Sequence, residues 1–182
     1  MIDPKVLTLV TGPIGSDRTS AAFNAARFVG SRFALWSGEM HPYRALQQLQ
    51  LLGLPSGIVL TKEPWNTELL DETDPSYLII DGAHMLTYPI DIGASGIRER
   101  LLRIKGWCQG HRCGALVTFQ TSLVDGFKTT ARTALDLEDS FADQVWRFIS
   151  PMKLRCTKGT VEGKEWEVLP LLKLAQRPKA QS

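Results

Sequence analysis

Residues 6–20 read Val6-Leu-Thr-Leu-Val-Thr-Gly-Pro-Ile-Gly-Ser-Asp-Arg-Thr-Ser20, and this stretch decides the fold. It predicts a short apolar strand, a glycine-rich turn and the first turn of a helix. In such an arrangement, backbone N–H groups and the positive end of the helix dipole can surround a phosphate group. We therefore interpret the stretch as a phosphate-binding loop that joins a buried strand to a helix.

The loop departs from the phosphate-loop pattern G-x-x-x-x-G-K-S/T at two positions. Gly12 and Thr19 match the pattern, whereas Asp17 replaces its second glycine and Arg18 replaces its lysine. Arginine keeps the positive charge and can bond two phosphate oxygens, but its guanidinium is larger and planar. Asp17 places a side chain with a carboxylate where glycine allows close approach. Two hypotheses stay open: the loop binds a nucleotide, or it now only turns the chain.

The composition is that of a single domain with a hydrophobic core, since 43% of the 182 residues are hydrophobic. The net charge of +2 gives no argument for non-specific nucleic-acid binding. Cys108, Cys113 and Cys156 are odd in number and lack metal-ligand spacing, which favours a reduced, cytoplasmic protein. No apolar run reaches transmembrane length and no signal-peptide pattern opens the chain, so we expect no membrane partner.

Apolar runs alternate with helical patterns along most of the chain. This alternation predicts an α/β fold with a mainly parallel central sheet and helices on both faces. Three further apolar runs near the end predict a C-terminal antiparallel hairpin extension, and residues 123–140 predict a surface loop. The strands are expected at 5–11, 33–36, 57–60, 76–80, 113–119, 141–149, 152–157 and 166–174, and the helices at 19–29, 43–54 and 97–107. Residues 1–174 are expected to form one domain and residues 175–182 a flexible tail.

Three polar residues, Glu39, Asp81 and Gln120, follow predicted strands at their carboxyl ends, where open α/β sheets bind ligands. Asp81 closes an apolar strand and, with the hydroxyl of Thr19, can hold Mg²⁺ beside nucleotide phosphates. Glu39 could orient and activate an attacking water, and the Gln120 amide could sense the terminal phosphate. The loop and these side chains therefore predict a single site.

Each of these residues also has a plain structural role that the sequence leaves open. Asp81 precedes a glycine in a common turn pair, and Thr19 is a good helix N-cap. Glu39 could be a surface glutamate, and Gln120 could satisfy backbone groups at the start of a loop. His84 lies three residues after Asp81 and receives no chemical role in this interpretation.

The order of these parts resembles the RecA-like ATPase core of hexameric replicative helicases of the DnaB type. Residues 12–20 look like the Walker A loop, and Leu78-Ile-Ile-Asp81 looks like the Walker B strand. The segment Phe33-Ala-Leu-Trp-Ser-Gly-Glu-Met40 is similar to the one with the catalytic glutamate of that family. Gly114-Ala-Leu-Val-Thr-Phe-Gln120 is similar to the strand that ends in its phosphate-sensing glutamine. Residues 137–149 and 155–168 extend the likeness.

The resemblance implies a RecA-like P-loop NTPase fold, ATP and Mg²⁺ as cofactors, single-stranded DNA as a partner, and a homo-oligomeric ring with six subunits in that family. It implies catalytic roles for Glu39, Gln120 and Arg18, and metal binding by Thr19 and Asp81. Arg155 and Lys158 would act in trans on the adjacent subunit. The residues implied in nucleotide binding are Gly12, Gly15, Ser16, Asp17, Arg18, Thr19 and Ser20.

Three functions follow as hypotheses. The first is an ATP-binding, helicase-like motor or a replication or recombination accessory on single-stranded DNA, with hydrolysis left open. The second is a non-catalytic pseudo-ATPase that serves assembly or binding to DNA or a protein partner, because Asp17 and Arg18 break the loop pattern. The third is a small-molecule kinase, which the terminal hairpin and the lack of an arginine-rich lid disfavour.

Overall fold

The structure is a computed structural model that describes residues 4–29, 32–54, 57–87, 93–121, 137–171 and 173. The predicted tail at 175–182 lies outside these residues, as does most of the predicted loop at 123–140. The expectation that residues 1–174 form one domain stays a prediction.

Eight strands form one sheet in the order β3-β2-β4-β5-β1-β6-β7-β8. The first six strands in this order pair in parallel, and β7 and β8 pair antiparallel beside β6. The predicted mainly parallel α/β sheet with an antiparallel C-terminal extension is therefore confirmed. The strands are β1 (Leu7–Gly12), β2 (Phe33–Ser37), β3 (Gly57–Val59), β4 (Tyr77–Asp81), β5 (Gly114–Gln120), β6 (Gln144–Ser150), β7 (Lys153–Lys158) and β8 (Glu165–Glu167).

Helices cover both faces of the sheet because its central strands are apolar on both faces. One buried cluster joins α1 and α2 to Val10, Ile79 and Leu116. The other joins α3 and α4 to Leu9 and Leu78. The helices are α1 (Arg18–Val29), α2 (Pro42–Leu51), α3 (Thr67–Thr73) and α4 (Gly93–His111), and a 3₁₀ turn spans Ala83–Thr87.

Several predicted boundaries were wrong, among them the start of α4 and the end of β8. Helix α4 begins at Gly93 rather than at 97, because its first turn lacks the apolar spacing that marks the rest of the helix. Strand β8 ends at Glu167, although apolar residues continue to 174. Pro170 has no N–H to donate to a strand ladder, and the Lys173 N–H instead bonds to the Pro170 carbonyl in a turn.

The parallel register brings the predicted polar residues to one edge of the sheet. Gly12 at the end of β1 pairs with Gln120 at the end of β5, and Ser37 pairs with Asp81 across β2 and β4. All four strands thus end together, beside the start of α1. This edge holds the candidate site.

Candidate functional site

Helix α1 begins at Arg18, and Asp17 caps it. The Asp17 Oδ1 accepts a hydrogen bond from the Ser20 N–H at 3.1 Å, which satisfies one of the free N–H groups of the first turn. Thr19 is therefore not the N-cap that the sequence allowed. The Asp17 carboxylate therefore has a structural role, because it bonds to the backbone at the start of the helix.

The Arg18 side chain lies inside its own loop and is only 4% exposed. Its Nη1 is 3.2 Å from the Gly12 carbonyl oxygen, 2.6 Å from that of Pro13 and 3.0 Å from the Ser16 Oγ. A cation that begins a helix and reaches back over a glycine-rich loop is where the phosphate-loop pattern predicts it. Its partners here, however, are the loop's own oxygens.

The second guanidinium nitrogen of Arg18 links the loop to two other strands. Nη2 donates to the Gln120 Oε1 at 2.9 Å and contacts the Glu39 Oε1 at 3.3 Å. Arg18 thus contacts both Glu39 and Gln120, and all three residues are predicted to act in catalysis. We call Arg18 and its acceptors, Gly12, Pro13, Ser16, Glu39 and Gln120, the arginine cluster.

Glu39 lies just beyond β2, partly exposed, and contacts a second basic residue. The Nε2 of His84 is 3.6 Å from the Glu39 Oε1. Burial lowers the pKa of His84, with Glu39 opposing and Arg18 adding to that effect. A Cβ at Gly82 would clash with the Glu39 side chain, and Gly82 has a φ of +75°, so glycine both makes this turn and leaves room for Glu39.

Asp81 is completely buried and accepts three hydroxyl hydrogen bonds. Its Oδ2 accepts from Thr19 at 3.0 Å and from Ser37 at 2.9 Å, and its Oδ1 accepts from Thr118 at 2.9 Å. The Thr118 hydroxyl in turn accepts the Gly82 N–H at 2.7 Å. We call Thr19, Ser37, Thr118 and Asp81 the hydroxyl cluster.

Burial raises the pKa of Asp81 to about 6, because the ionised carboxylate has lost its water. The hydroxyls of Ser37, Thr118 and Thr19 act in the opposite direction, and the negative charge of Glu39 adds to the increase. A cation beside Asp81 would stabilise the ionised form. The cluster therefore holds a carboxylate whose charge has no cation bonded to it among the described residues.

Sequence reasoning missed three residues of the site. Ser37 was placed just beyond a predicted strand and Thr118 within one, neither with a role in the site, and His84 was given no chemical role. A signal for the first two was present, since each is a hydroxyl residue at or near the carboxyl end of an apolar strand. Only the register of β4 with its neighbours shows that they face Asp81.

The residues proposed to act in trans lie on the antiparallel extension, on β7, rather than in the two clusters. The Arg155 Nη2 contacts the Glu165 Oε1 at 2.8 Å, and the Arg155 side chain is 53% exposed. The Lys158 Nζ donates to the Glu138 carbonyl oxygen. Both cations therefore have partners within this chain.

The residues of the hydroxyl cluster fit Mg²⁺, which prefers oxygen ligands from one or two carboxylates together with phosphates and water. Thr19, Ser37 and Asp81 present such oxygens around one point. Among the described residues, no group of three or more His, Cys, Asp and Glu could hold a metal.

The fit to a phosphate is different, because the arginine cluster already uses groups that a phosphate would need. The N–H groups of Ser16, Asp17 and Arg18 bond to the carbonyls of Pro13, Pro151 and Ser16. The Arg18 Nε is buried and makes no hydrogen bond within the described part of the chain. The donors for an anion are thus present, but most are engaged in bonds within the protein.

Solved structures share this fold. The RadB recombinase superposes with a TM-score of 0.58 at 21% identity, over 89% of this chain and 86% of that one. The KaiC-like protein PH0186 from the hyperthermophilic archaeon Pyrococcus horikoshii OT3 gives a TM-score of 0.66 at 12% identity, over 91% and 86% of the two chains. No protein-family model matches the sequence, and no curated protein does. The chain has a RecA-like fold.

At this level of identity the likeness shows the fold alone. The narrower resemblance to helicases of the DnaB type rests on the motifs of the sequence. In the described ranges, no helix is both long and apolar enough to cross a bilayer.

Proposed function

We propose that this protein binds ATP with Mg²⁺ at the carboxyl edge of its sheet and acts as a RecA-like module on single-stranded DNA. The observation that carries the proposal is the meeting of Arg18, Glu39 and Gln120 beside the contact of Thr19 with Asp81. Arg18 and Thr19 come from the start of α1, within the loop that the sequence singled out, while Asp81 ends β4, Gln120 ends β5 and Glu39 follows β2.

The roles follow from the chemistry of each side chain. Thr19 and Asp81 would hold Mg²⁺, which supplies positive charge to neutralise phosphate oxygens. Glu39 is partly exposed, contacts Arg18 and can accept a proton from water. Gln120 can orient a polar group beside Arg18 through its amide.

Arg18 would have to exchange partners when a phosphate enters the loop. A phosphate oxygen would compete with the Gly12 and Pro13 carbonyls for Nη1, and an arginine–phosphate bond is stronger because both partners are charged. Release of Nη2 would free Glu39 and Gln120 together. Nucleotide binding would thus be coupled to the freedom of the proposed catalytic base.

The binding test is a calorimetric titration of the chain with ATP in the presence and absence of Mg²⁺. We expect micromolar binding that needs Mg²⁺, and a loss of about tenfold or more in Asp81→Asn, since a lost charge-assisted contact is worth about 1.5–3 kcal/mol. Arg103→Ala is the matched control, because Arg103 pairs with Glu99 on the exposed face of α4. Binding that is absent, or that is equal in Asp81→Asn, would contradict the proposal.

The hydrolysis test compares the wild type with Glu39→Gln, with and without single-stranded DNA. Because Glu39→Gln keeps the shape but removes the base, we expect turnover to fall by about 10²-fold or more while ATP binding stays within about threefold. Turnover that survives the substitution unchanged removes Glu39 from the mechanism without touching the binding proposal.

A second candidate, a pseudo-ATPase that serves assembly, is favoured by one observation: Arg18 already bonds to its own loop, and Asp17 stands where the pattern has glycine. The double variant Asp17→Gly with Arg18→Lys restores the pattern. If the wild type binds ATP without turnover and the double variant gains turnover, this candidate replaces the motor.

Association with single-stranded DNA and ring assembly are the parts of the proposal that rest on the DnaB-type resemblance. Arg155 is exposed enough to reach a neighbouring subunit once its bond to Glu165 opens. We expect light scattering with ATP, Mg²⁺ and oligonucleotide to detect oligomers, and Arg155→Ala to lower turnover without lowering ATP affinity. A monomer under all these conditions would contradict this part.

A further inference from the structure

A cavity of about 440 Å³ lies at the edge of the sheet opposite the candidate site. It opens beside the first residues of β1 and β5, whose last residues are Gly12 and Gln120. The sulfur-bearing residues Cys108 and Cys113 both line it, and so do the cationic residues Lys5 and Arg112. None of these four residues takes part in the proposed ATP site.

The end of helix α4 is what brings the two cysteines together. Arg112 has a φ of +52°, and its N–H bonds to the Gln109 carbonyl at 3.4 Å. The Cys113 N–H bonds to the Cys108 carbonyl at 2.9 Å. This pair of bonds around a left-handed residue is the Schellman motif, in which the side chains of the two outer residues touch. Here those two side chains are both cysteines.

The two thiols differ in their surroundings: the Cys113 thiol donates to the Gly114 carbonyl at 3.2 Å, and Cys113 is 5% exposed where Cys108 is 1% exposed. Interaction with Cys108 lowers the pKa of Cys113, while interaction with Cys113 and burial raise the pKa of Cys108. Burial and the negative charge of Asp74 oppose the effect on Cys113. Cys113 is therefore the better nucleophile of the pair, since the thiolate is the form that attacks.

We propose that Cys108 and Cys113 are a thiol–disulfide exchange site that takes small disulfides of the glutathione class. The cavity gives such a molecule access to two thiols that are 1% and 5% exposed at the residue level. Lys5 and Arg112 on its wall suit the carboxylates of glutathione, and Asp143 suits its ammonium group.

The exchange has two steps that conserve atoms and electrons. The Cys113 thiolate attacks one sulfur of the small disulfide, the S–S bond breaks, and one small thiolate leaves. Cys108 then gives its proton to solvent and attacks the Cys113 Sγ, which expels the second small thiolate. The protein loses two hydrogens and gains one disulfide, and the small disulfide becomes two thiols.

The wild-type test is a peptide map after equilibration of the full chain with oxidised and reduced glutathione. Trypsin cuts after Lys105, Arg112 and Lys128, so Cys108 and Cys113 fall on separate peptides. We expect one linked pair, 106–112 with 113–128, lighter by two hydrogens than the sum of the free peptides. Equal alkylation of all three cysteines, in a mixture that oxidises free dithiols, would overturn the proposal.

Cys156 is the matched control within the same chain. It is 1% exposed like Cys108, its thiol donates to the Lys158 carbonyl at 3.1 Å, and it does not line the cavity that Cys108 and Cys113 share. We expect the Cys156 thiol to stay free in the glutathione mixture and to be fully alkylated once the protein is unfolded. A disulfide that includes Cys156 would show scrambling of unfolded protein and would also overturn the proposal.

Two serine variants test the order of attack. Cys108→Ser leaves the attacking thiol without a partner, so we expect about tenfold more glutathione mixed disulfide than in Cys113→Ser. Cys156→Ser should behave as the wild type. The reverse order between the two variants would contradict the assignment of Cys113. The wild-type map tests the site even if a variant does not fold.

Discussion

The hydroxyl cluster around Asp81 and the arginine cluster around Arg18 lie side by side, and they differ in what satisfies their polar groups. The hydroxyl cluster holds one buried carboxylate with three neutral donors, which can turn toward a cation without any movement of the backbone. The arginine cluster holds a cation whose two terminal nitrogens already contact five oxygens of this chain. One half of the site thus holds a negative charge bonded only to neutral donors of the described residues, and the other half holds a cation that is bonded to oxygens of the chain.

The contrast suggests how a motif can change while the site around it persists. Asp17 and Arg18 each have a structural role that does not need a nucleotide. Asp17 caps helix α1, and Arg18 bonds the loop to Gln120 at the end of β5. The hydroxyl cluster has a carboxylate whose burial costs stability unless a cation offsets it. The predictions below test this difference through stability, from the largest expected effect to the smallest.

The largest effect is expected for Asp81→Asn at neutral pH. The folded pKa of about 6 lies above the ordinary value of 3.8, so the folded state binds the proton more tightly. The stabilisation is complete below pH 4 and is lost as the pH rises through 6. At pH 7 the lost stabilisation amounts to up to about 3 kcal/mol at 1.36 kcal/mol per pKa unit. Asp81→Asn should therefore be more stable than the wild type at pH 7, by chemical denaturation without Mg²⁺.

The same two proteins should converge at low pH. The difference in the free energy of unfolding should shrink between pH 7 and pH 4, because the wild-type carboxyl becomes protonated and neutral like the amide. A variant that is less stable than the wild type at pH 7 would mean that the carboxylate is already compensated in the folded protein.

Arg18→Met should destabilise the fold by about 2 kcal/mol. The substitution removes the donor to the Gly12 and Pro13 carbonyls and to the Glu39 Oε1. The loss is no larger because the Glu39 side chain is 30% exposed and can regain water. Arg103→Met is the matched control; it breaks an exposed pair and should change stability by less than about 0.5 kcal/mol. Equal unfolding free energies for the two variants would show that the arginine cluster adds nothing to the fold.

Thr118→Val should cost about 1–2 kcal/mol, because it leaves the buried Gly82 N–H without an acceptor. Ser37→Ala should cost less, since the Ser37 hydroxyl is only half-buried and its Met40 N–H donor can reach water. Thr8→Val is the control, as the buried Thr8 hydroxyl makes only a long bond of 3.4 Å to Gln144. Thermal unfolding of the three variants at pH 7 should give this order, and a reversed order would place the key acceptor elsewhere.

The positions of the site residues could be predicted from the sequence because parallel strands end at one edge. Glu39, Asp81 and Gln120 each follow a run of apolar residues, and such runs are typical of doubly buried strands. The mainly parallel α/β sheet followed from the alternation of apolar runs with helical patterns, whereas the RecA-like fold was implied by the motif resemblance. The missed boundaries at Gly93 and Glu167 lie where the pattern of apolar residues does not match the hydrogen-bonded structure.

The contacts of Arg18 could not be predicted, because they depend on its rotamer and on the register of β1 with β5. The sequence shows a cation in a loop, and either a phosphate or the loop's own carbonyls could be its partner. The cap role of Asp17 was missed for a related reason: a carboxylate near a phosphate loop suggests repulsion, whereas the helix start offers it an N–H. Local backbone bonds of this kind appear only once the helix boundary is known.

The smallest effects on stability are expected for substitutions of Asp17. They distinguish its role as a helix cap from its effect on the loop. Loss of the cap in Asp17→Ala should cost about 1 kcal/mol, whereas Asp17→Gly should cost only a few tenths, because glycine is tolerated at the cap position. Guanidinium unfolding of both variants measures the difference. Equal losses would mean that the carboxylate does not act as a cap in solution.

Asp17→Gly then becomes the cleanest probe of the loop, since it restores the second glycine of the pattern while leaving the fold nearly unchanged. It removes a negative charge beside the place proposed for phosphate and leaves Arg18 and its partners intact. We expect its affinity for ATP with Mg²⁺ to exceed that of the wild type, because like charges near the ligand repel. If the affinity is unchanged, the helix backbone already screens the Asp17 carboxylate, and the barrier to nucleotide entry lies in the bonds of Arg18 alone.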